Sequence, residues 1–202
     1  MKKILLLAAL ALALPTAMFA GSSVDFTNSG GTLSGSSSGL SLTGSVLIAI
    51  NGLNGGGLIT GNNLGSVGFS TGALTSGSLQ MGGTFAGGGW FTITGNGTSG
   101  VPSGTLFTGT FDGPVTWTLV TLANGTHNYT LTGSLSGWTG SGAATVGVTV
   151  QLTINTGKGY FNGSTTISSG DTNIVVPEPG SLSLLGTGLI GLAGLVRRKL
   201  KG

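Results

Sequence analysis

The chain has 202 residues, of which 42 are glycine and none is cysteine, and only 5% of its residues are charged. Six of its seven lysines and arginines lie in the first three or last six residues, so the positive formal net charge of +3 comes from the two ends of the chain. Between residues 21 and 176 one lysine accompanies three aspartates, a net charge of −2, which excludes a basic surface for nucleic acid. The lack of cysteine excludes disulfides, thiol catalysis and thiolate metal sites.

The N-terminus has the parts of a secretory signal peptide. Two lysines follow Met1, and Ile4 to Leu14 is an apolar run of 11 residues, too short to be a stable membrane span. Pro15 ends the run, and the chain offers a cleavage position after Ala20, with Ser22 as the alternative. We therefore predict a signal helix in residues 1–20 and export through the Sec translocon.

The next segment, residues 21–39, is rich in serine, glycine and threonine, and we predict a loose or disordered lead-in with one strand around Val24 to Thr27. Residues 40–175 are predicted to form the folded domain, because short β-type runs alternate there with glycine turns. The first of these runs are Leu40–Ile50, Gly65–Ser70, Leu74–Met81 and Thr84–Ile93. Three glycines at 87–89 interrupt the last run and predict a bend or bulge.

The C-terminal half of the domain has the clearest strands. Val115, Trp117 and Leu119 alternate with threonines, and Asn124-Gly125 then supplies the positive φ angles of a tight hairpin turn. The return strand carries Tyr129 and has the same alternation. After it, the apolar positions of the longest period-2 run are Val146, Val148, Val150, Leu152 and Ile154. This run predicts a strand with one buried face.

Strands at such spacing, without a helical period, predict an all-β fold, an antiparallel β-sandwich or jelly roll. A β-solenoid is the second interpretation, but no fixed repeat period supports it. The predicted fold is flanked by the N-terminal signal helix and by a C-terminal transmembrane helix.

The last segment, residues 176–202, combines a rigid turn, an apolar run and a basic end. Pro177 and Pro179 remove two backbone donors and predict an extended entry to a helix. Residues 181–196 would form a helix about 24 Å long, short for a bilayer core of about 30 Å. The basic stop consists of Arg197, Arg198, Lys199 and Lys201. These charges should stay cytoplasmic, so residues before 176 are expected on the far side of the membrane.

The rigid turn, the apolar run and the basic end follow one another in the order of a known type of C-terminal signal. Its sorting motif is Val176, Pro177, Glu178, Pro179, Gly180 and Ser181, followed by Leu184–Leu195 and the basic stop. Together they resemble the PEP-CTERM sorting signal of Gram-negative bacteria. The resemblance implies recognition by an exosortase, an integral-membrane transpeptidase-like enzyme, with Pro177, Glu178 and Pro179 as its recognition triplet. It also implies a link to exopolysaccharide and biofilm.

No catalytic or metal site is predicted, and no cofactor. His127 is the only histidine and is expected as an exposed polar tip beside the hairpin turn. Asp25, Asp112 and Asp171 are widely separated in the sequence, so we do not expect them to form the facing carboxylates of a glycosidase or a calcium site. We therefore expect a protein that is not an enzyme.

The aromatic residues leave one binding hypothesis. Core packing is the better interpretation of most of them, but Trp138 and Trp90 are candidates for a glycan contact. We expect an exported protein at the cell surface or in the extracellular matrix, structural in biofilm or exopolysaccharide, and attached to the membrane through residues 181–196. The alternatives are a carbohydrate-binding module and a self-associating matrix subunit, since charge-poor edge strands invite pairing.

Overall fold

The computed structural model describes residues 22–176, and this part contains thirteen strands, one short 3₁₀ turn at Leu53–Gly55 and no α-helix. The strands are β1 (Ser22–Ser29), β2 (Thr32–Ser36), β3 (Gly39–Asn51), β4 (Ile59–Ser70), β5 (Leu74–Ser78), β6 (Gly82–Phe85), β7 (Gly88–Asn96), β8 (Ser103–Phe111), β9 (Val115–Thr121), β10 (His127–Thr139), β11 (Ala144–Asn155), β12 (Ser164–Thr166) and β13 (Ser169–Val176). The predicted all-β class is confirmed.

Eight of these strands close into a barrel. The hydrogen-bonded order is β11-β13-β1-β3-β4-β7-β8-β10, and β10 pairs in turn with β11, which completes the ring. This closing pair is long, because it runs from Asn128 opposite Asn155 to Trp138 opposite Ala144. The prediction of a β-sandwich or jelly roll was therefore wrong in architecture. Alternation along a strand predicts which face is buried, and both architectures bury one face of each strand.

Two strands change partner along their length, which extends the barrel at one end. On one side of β10, residues 127–132 pair with β9 and residues 135–139 pair with β8. On β3, residues 39–43 pair with β2 and residues 46–51 pair with β1. The branch through β9 continues to β6 and β5, and the branch through β2 continues to β12. In the described part of the chain, β5 and β12 are thus the strands at which the sheet ends.

The segment predicted as a loose lead-in is part of this barrel. It contains β1 and β2, and the core includes Phe26 and Leu33 from them, at 2% and 0% exposure. Serine and glycine between these apolar positions face outward or form turns, which is why the composition looked unstructured.

Two aromatic clusters fill the interior. Phe69, Phe91, Phe107 and Phe111 contact one another between β4, β7 and β8 with ring centroids about 6 Å apart. At the extended end, Trp117 and Tyr129 stack on each other and Phe161 packs edge-on against Trp117. The predicted core role of Trp117 and Tyr129 is confirmed.

A bulge corrects the prediction for the longest alternating run. Gly147, at φ 69°, adds a residue to β11 opposite the interval between Leu135 and Gly137 of β10. The alternation reverses at this point, so Val148 is buried and Val146 is 72% exposed. The face predicted for Val146 was therefore wrong, because a bulge shifts the side-chain period by one residue.

Candidate functional site

The two ends of the described chain leave the barrel at the same end. Seven successive antiparallel pairs connect β1 to β13 through the ring, so these two neighbouring strands run in opposite directions. The start of β1 at Ser22 therefore lies beside the end of β13 at Val176. Because Pro177 follows immediately, the predicted sorting motif begins where the last strand ends, with no linker in the sequence. Its residues from Pro177 onward, the basic stop and both predicted helices lie outside the described residues.

Both candidate glycan-binding tryptophans lie on the outer wall. Trp138 is 58% exposed and Trp90 is 46% exposed. Trp138 is opposite Thr108 of β8, which is in turn opposite Thr92 of β7, two residues after Trp90. The two tryptophans therefore belong to one face of the sheet, and their strands β7 and β10 are two strand spacings or about 10 Å apart.

Trp90 packs against a glycine of the neighbouring strand β4. Its ring lies over Gly68 of β4, where an added Cβ would come within 3.1 Å of the indole. The glycine at this position leaves room for the ring, and the Trp90 side chain remains partly exposed.

A separate groove of about 530 Å³, lined by both polar and apolar groups, crosses the outer wall on β9, β10, β11, β13 and β1. Its lining residues are Asp25, Pro114, Thr116, Thr132, Gly133, Thr149, Val150, Gln151, Asp171 and Asn173. Asp25 and Asp171, 146 positions apart in the chain, both line it. The fold brings these two aspartates into one groove because β1 and β13 are neighbours in the closed ring, while Asp112 lies outside its lining.

The electrostatics of the groove are set by these two carboxylates. Burial raises the pKa of Asp25 above its ordinary value of 3.8, and the nearby charge of Asp171 raises it further, while a hydrogen bond from the Phe26 backbone partly opposes both effects. Burial and the like charge therefore make the ionised form of Asp25 less favourable than that of a carboxyl in water.

The remaining titratable candidates are elsewhere. Asp112 accepts a hydrogen bond from the Ser136 hydroxyl at 2.6 Å in the turn after β8. His127 is buried, at 6% exposure, and stacks on Tyr160 with ring centroids 4.3 Å apart. The expectation of an exposed histidine tip was therefore wrong, because the loop after β11 folds over it. Its Nδ1 has no hydrogen-bond partner among the described residues.

Within residues 22–176 no three histidine, cysteine or carboxylate side chains come together to hold a metal ion. The same residues include no helix long and apolar enough to cross a bilayer.

Comparison with known protein families identifies one segment of the chain, at its C-terminal end. The family model of the PEP-CTERM protein-sorting motif matches residues 175–199. The chain carries a PEP-CTERM sorting signal. This match confirms the resemblance noted from the residues, and it overlaps β13 at Val175 and Val176. No curated protein and no solved structure matches the chain.

A PEP-CTERM signal implies that the protein is exported and sorted at the membrane, with an exosortase as its processing partner.

Proposed function

We propose that the barrel is a non-catalytic component of the extracellular matrix, structural in biofilm or exopolysaccharide, which residues 181–196 hold at the membrane until an exosortase processes it. The observation that carries this proposal is the position of the PEP-CTERM match, which starts within the last barrel strand. The sorting signal is therefore attached directly to a closed, charge-poor domain, so that processing would release this domain and little else.

The scarcity of charge supports a structural role. Three aspartates and Lys158 are the charged residues between 21 and 176, and the outer wall is mainly threonine, serine, asparagine and glycine. Such a surface can form neutral hydrogen bonds with hydroxyl-rich polymers. It offers little attraction to nucleic acid, which needs clustered lysine and arginine.

The test is replacement of Pro177, Glu178 and Pro179 by alanine in the host bacterium, with Lys158→Ala in an exposed loop as the control. We expect the triple variant to accumulate as an unprocessed membrane species, while the control is processed like the wild type. Immunoblots of membrane, polysaccharide and supernatant fractions measure this. Unchanged size and location of the triple variant would refute the sorting role, and recovery of wild-type barrel only in the free supernatant would refute the matrix role.

A carbohydrate-binding module is the second candidate, and the shared face of Trp90 and Trp138 favours it. Exposed indoles stack on the apolar faces of sugar rings, and the threonines of β8 between them can bind ring hydroxyls. We expect Trp138→Ala and Trp90→Ala to lower retention on the host exopolysaccharide. Tyr160→Ala, an exposed aromatic outside this face, should leave retention unchanged. Equal retention of all three variants argues against the candidate.

The third hypothesis, a self-associating matrix subunit, stays a prediction. Ring closure removes free edges from eight strands, so any pairing between chains would have to use the sheet ends at β5 and β12.

A further inference from the structure

The groove contains a cross-strand row of polar side chains. Thr116 of β9 is opposite Thr132 of β10, which is opposite Gln151 of β11, which is opposite Asp171 of β13. Four strands therefore place four polar side chains in a line about 14 Å long. Thr149 and Asn173 form a second, parallel row beside it.

The side chains of these rows are free to bind. Elsewhere on the wall, polar side chains bond to each other, as Ser66 does with Thr94 and Asn128 with Asn155. Thr132, Gln151 and the other groove side chains of the two rows form no such side-chain bond with residues 22–176. These side chains line the groove, and within the described part of the chain their donors and acceptors have no side-chain partner.

The composition of the groove selects a class of ligand. Hydroxyls and amides both donate and accept, and Asp25 and Asp171 add acceptors at one end. The lining includes no lysine, arginine or histidine, so a phosphate or other anion would meet two carboxylates without a compensating charge. An apolar ligand would leave the row desolvated and unpaired, at a cost for each group.

We propose that this groove binds a neutral saccharide chain, with Thr116, Thr132 and Gln151 bonding to its hydroxyls and Asp171 accepting from a hydroxyl at one end. The site is separate from the Trp90 and Trp138 face, and the proposal does not depend on the sorting signal or on a matrix location.

The test is binding of defined oligosaccharides to the full chain. The chain is purified in a detergent without a sugar headgroup and titrated with hexamers of β-1,4-glucan, α-1,4-glucan and β-1,3-glucan, followed by saturation-transfer NMR and calorimetry. The variants are Thr132→Ala and Gln151→Ala in the groove. Thr130→Ala is the matched control, because Thr130 lies on the same strand, two residues away and outside the groove lining.

We expect at least one hexamer to bind, and each groove variant to raise its Kd about three- to tenfold, the effect of losing one or more neutral hydrogen bonds. Thr130→Ala should leave the Kd unchanged. The proposal is overturned if no hexamer binds, if Thr132→Ala and Gln151→Ala bind as well as the wild type, or if Trp138→Ala alone abolishes binding. It is also overturned if calcium chloride occupies the groove and the hexamers do not.

Discussion

Trp117 and Tyr129 stack across β9 and β10 with ring centroids 5.0 Å apart and ring planes within 17° of parallel. Both side chains are buried, and the polar atom of each forms a hydrogen bond to a backbone carbonyl. The Trp117 Nε1 donates to the Leu79 carbonyl at 2.9 Å, and the Tyr129 hydroxyl donates to the Gln80 carbonyl at 2.6 Å. The pair thus attaches the turn between β5 and β6 to the end of the barrel.

Tyr129→Phe tests this attachment. The hydroxyl also accepts from the Phe161 backbone N–H at 3.0 Å, so its removal leaves a buried donor and a carbonyl without their partner. We expect the free energy of unfolding to fall by about 1–3 kcal/mol. Urea denaturation measures this, with the half-exposed Tyr160→Phe as the control, expected within about 0.5 kcal/mol of the wild type. Equal losses in the two variants would contradict the assigned bonds.

Gly137→Ala tests the close approach of β10 to β8. A Cβ at Gly137 would lie 2.1 Å from the Thr108 carbonyl oxygen, a contact that neither backbone can avoid without moving. We expect a loss of about 3 kcal/mol or more, or failure to fold. Gly113→Ala is the matched control, since a Cβ there meets nothing within 4 Å and its φ is not positive. Thermal unfolding compares the two, and a stable Gly137→Ala variant would show that this register is wrong.

Asp25→Asn tests the electrostatics of the groove. Because the folded pKa of Asp25 is raised above 3.8, the folded state holds this proton more tightly than the unfolded state. The free energy of unfolding should therefore fall as pH rises from 3.8 through the folded pKa, and stay lower above it. Asp25→Asn should remove that fall and be more stable than the wild type at neutral pH. Urea midpoints measured at a series of pH values check this.

The control for that experiment is Asp112→Asn, outside the groove, which should leave the fall attributed to Asp25 in place. A wild-type profile that is unchanged by Asp25→Asn would exclude the assigned effect of Asp171 and burial on this carboxyl.

Ring closure is tested by truncation. A chain that ends at Val176 retains all thirteen strands and should keep its β spectrum and remain monomeric. A chain that ends at Ser168 lacks β13, which exposes facing edges of β11 and β1, and should aggregate. Circular dichroism and light scattering separate the two. A self-associated Val176 chain would instead support the matrix-subunit hypothesis.

The hairpin around Asn124 shows what local sequence can predict. Alternation of Val115 and Trp117 with threonine correctly predicted the buried face of β9. Gly125 has φ 77°, and the Asn124 side chain accepts hydrogen bonds from the backbone and hydroxyl of Thr126. Strand, turn and return strand are all determined within about twenty residues, so a pattern could find them.

Closure of the barrel and formation of the groove depend on pairs of strands that are distant in the sequence. Alternation in β13 indicates that Asp171 faces outward, but it carries no information that the neighbour is β1. Asp25 and Asp171 meet only because the first and last strands are adjacent in the ring. The sequence predicted neither ring closure nor the adjacency of β1 and β13, so it could not place the two aspartates in one groove.

The shared exit of Ser22 and Val176 has a consequence for maturation. Any cut before Ser22 and any cut after Val176 would both fall at this one end of the barrel. Trp117 and Tyr129 lie at the opposite end of the barrel, so neither cut would involve their contacts with the turn between β5 and β6.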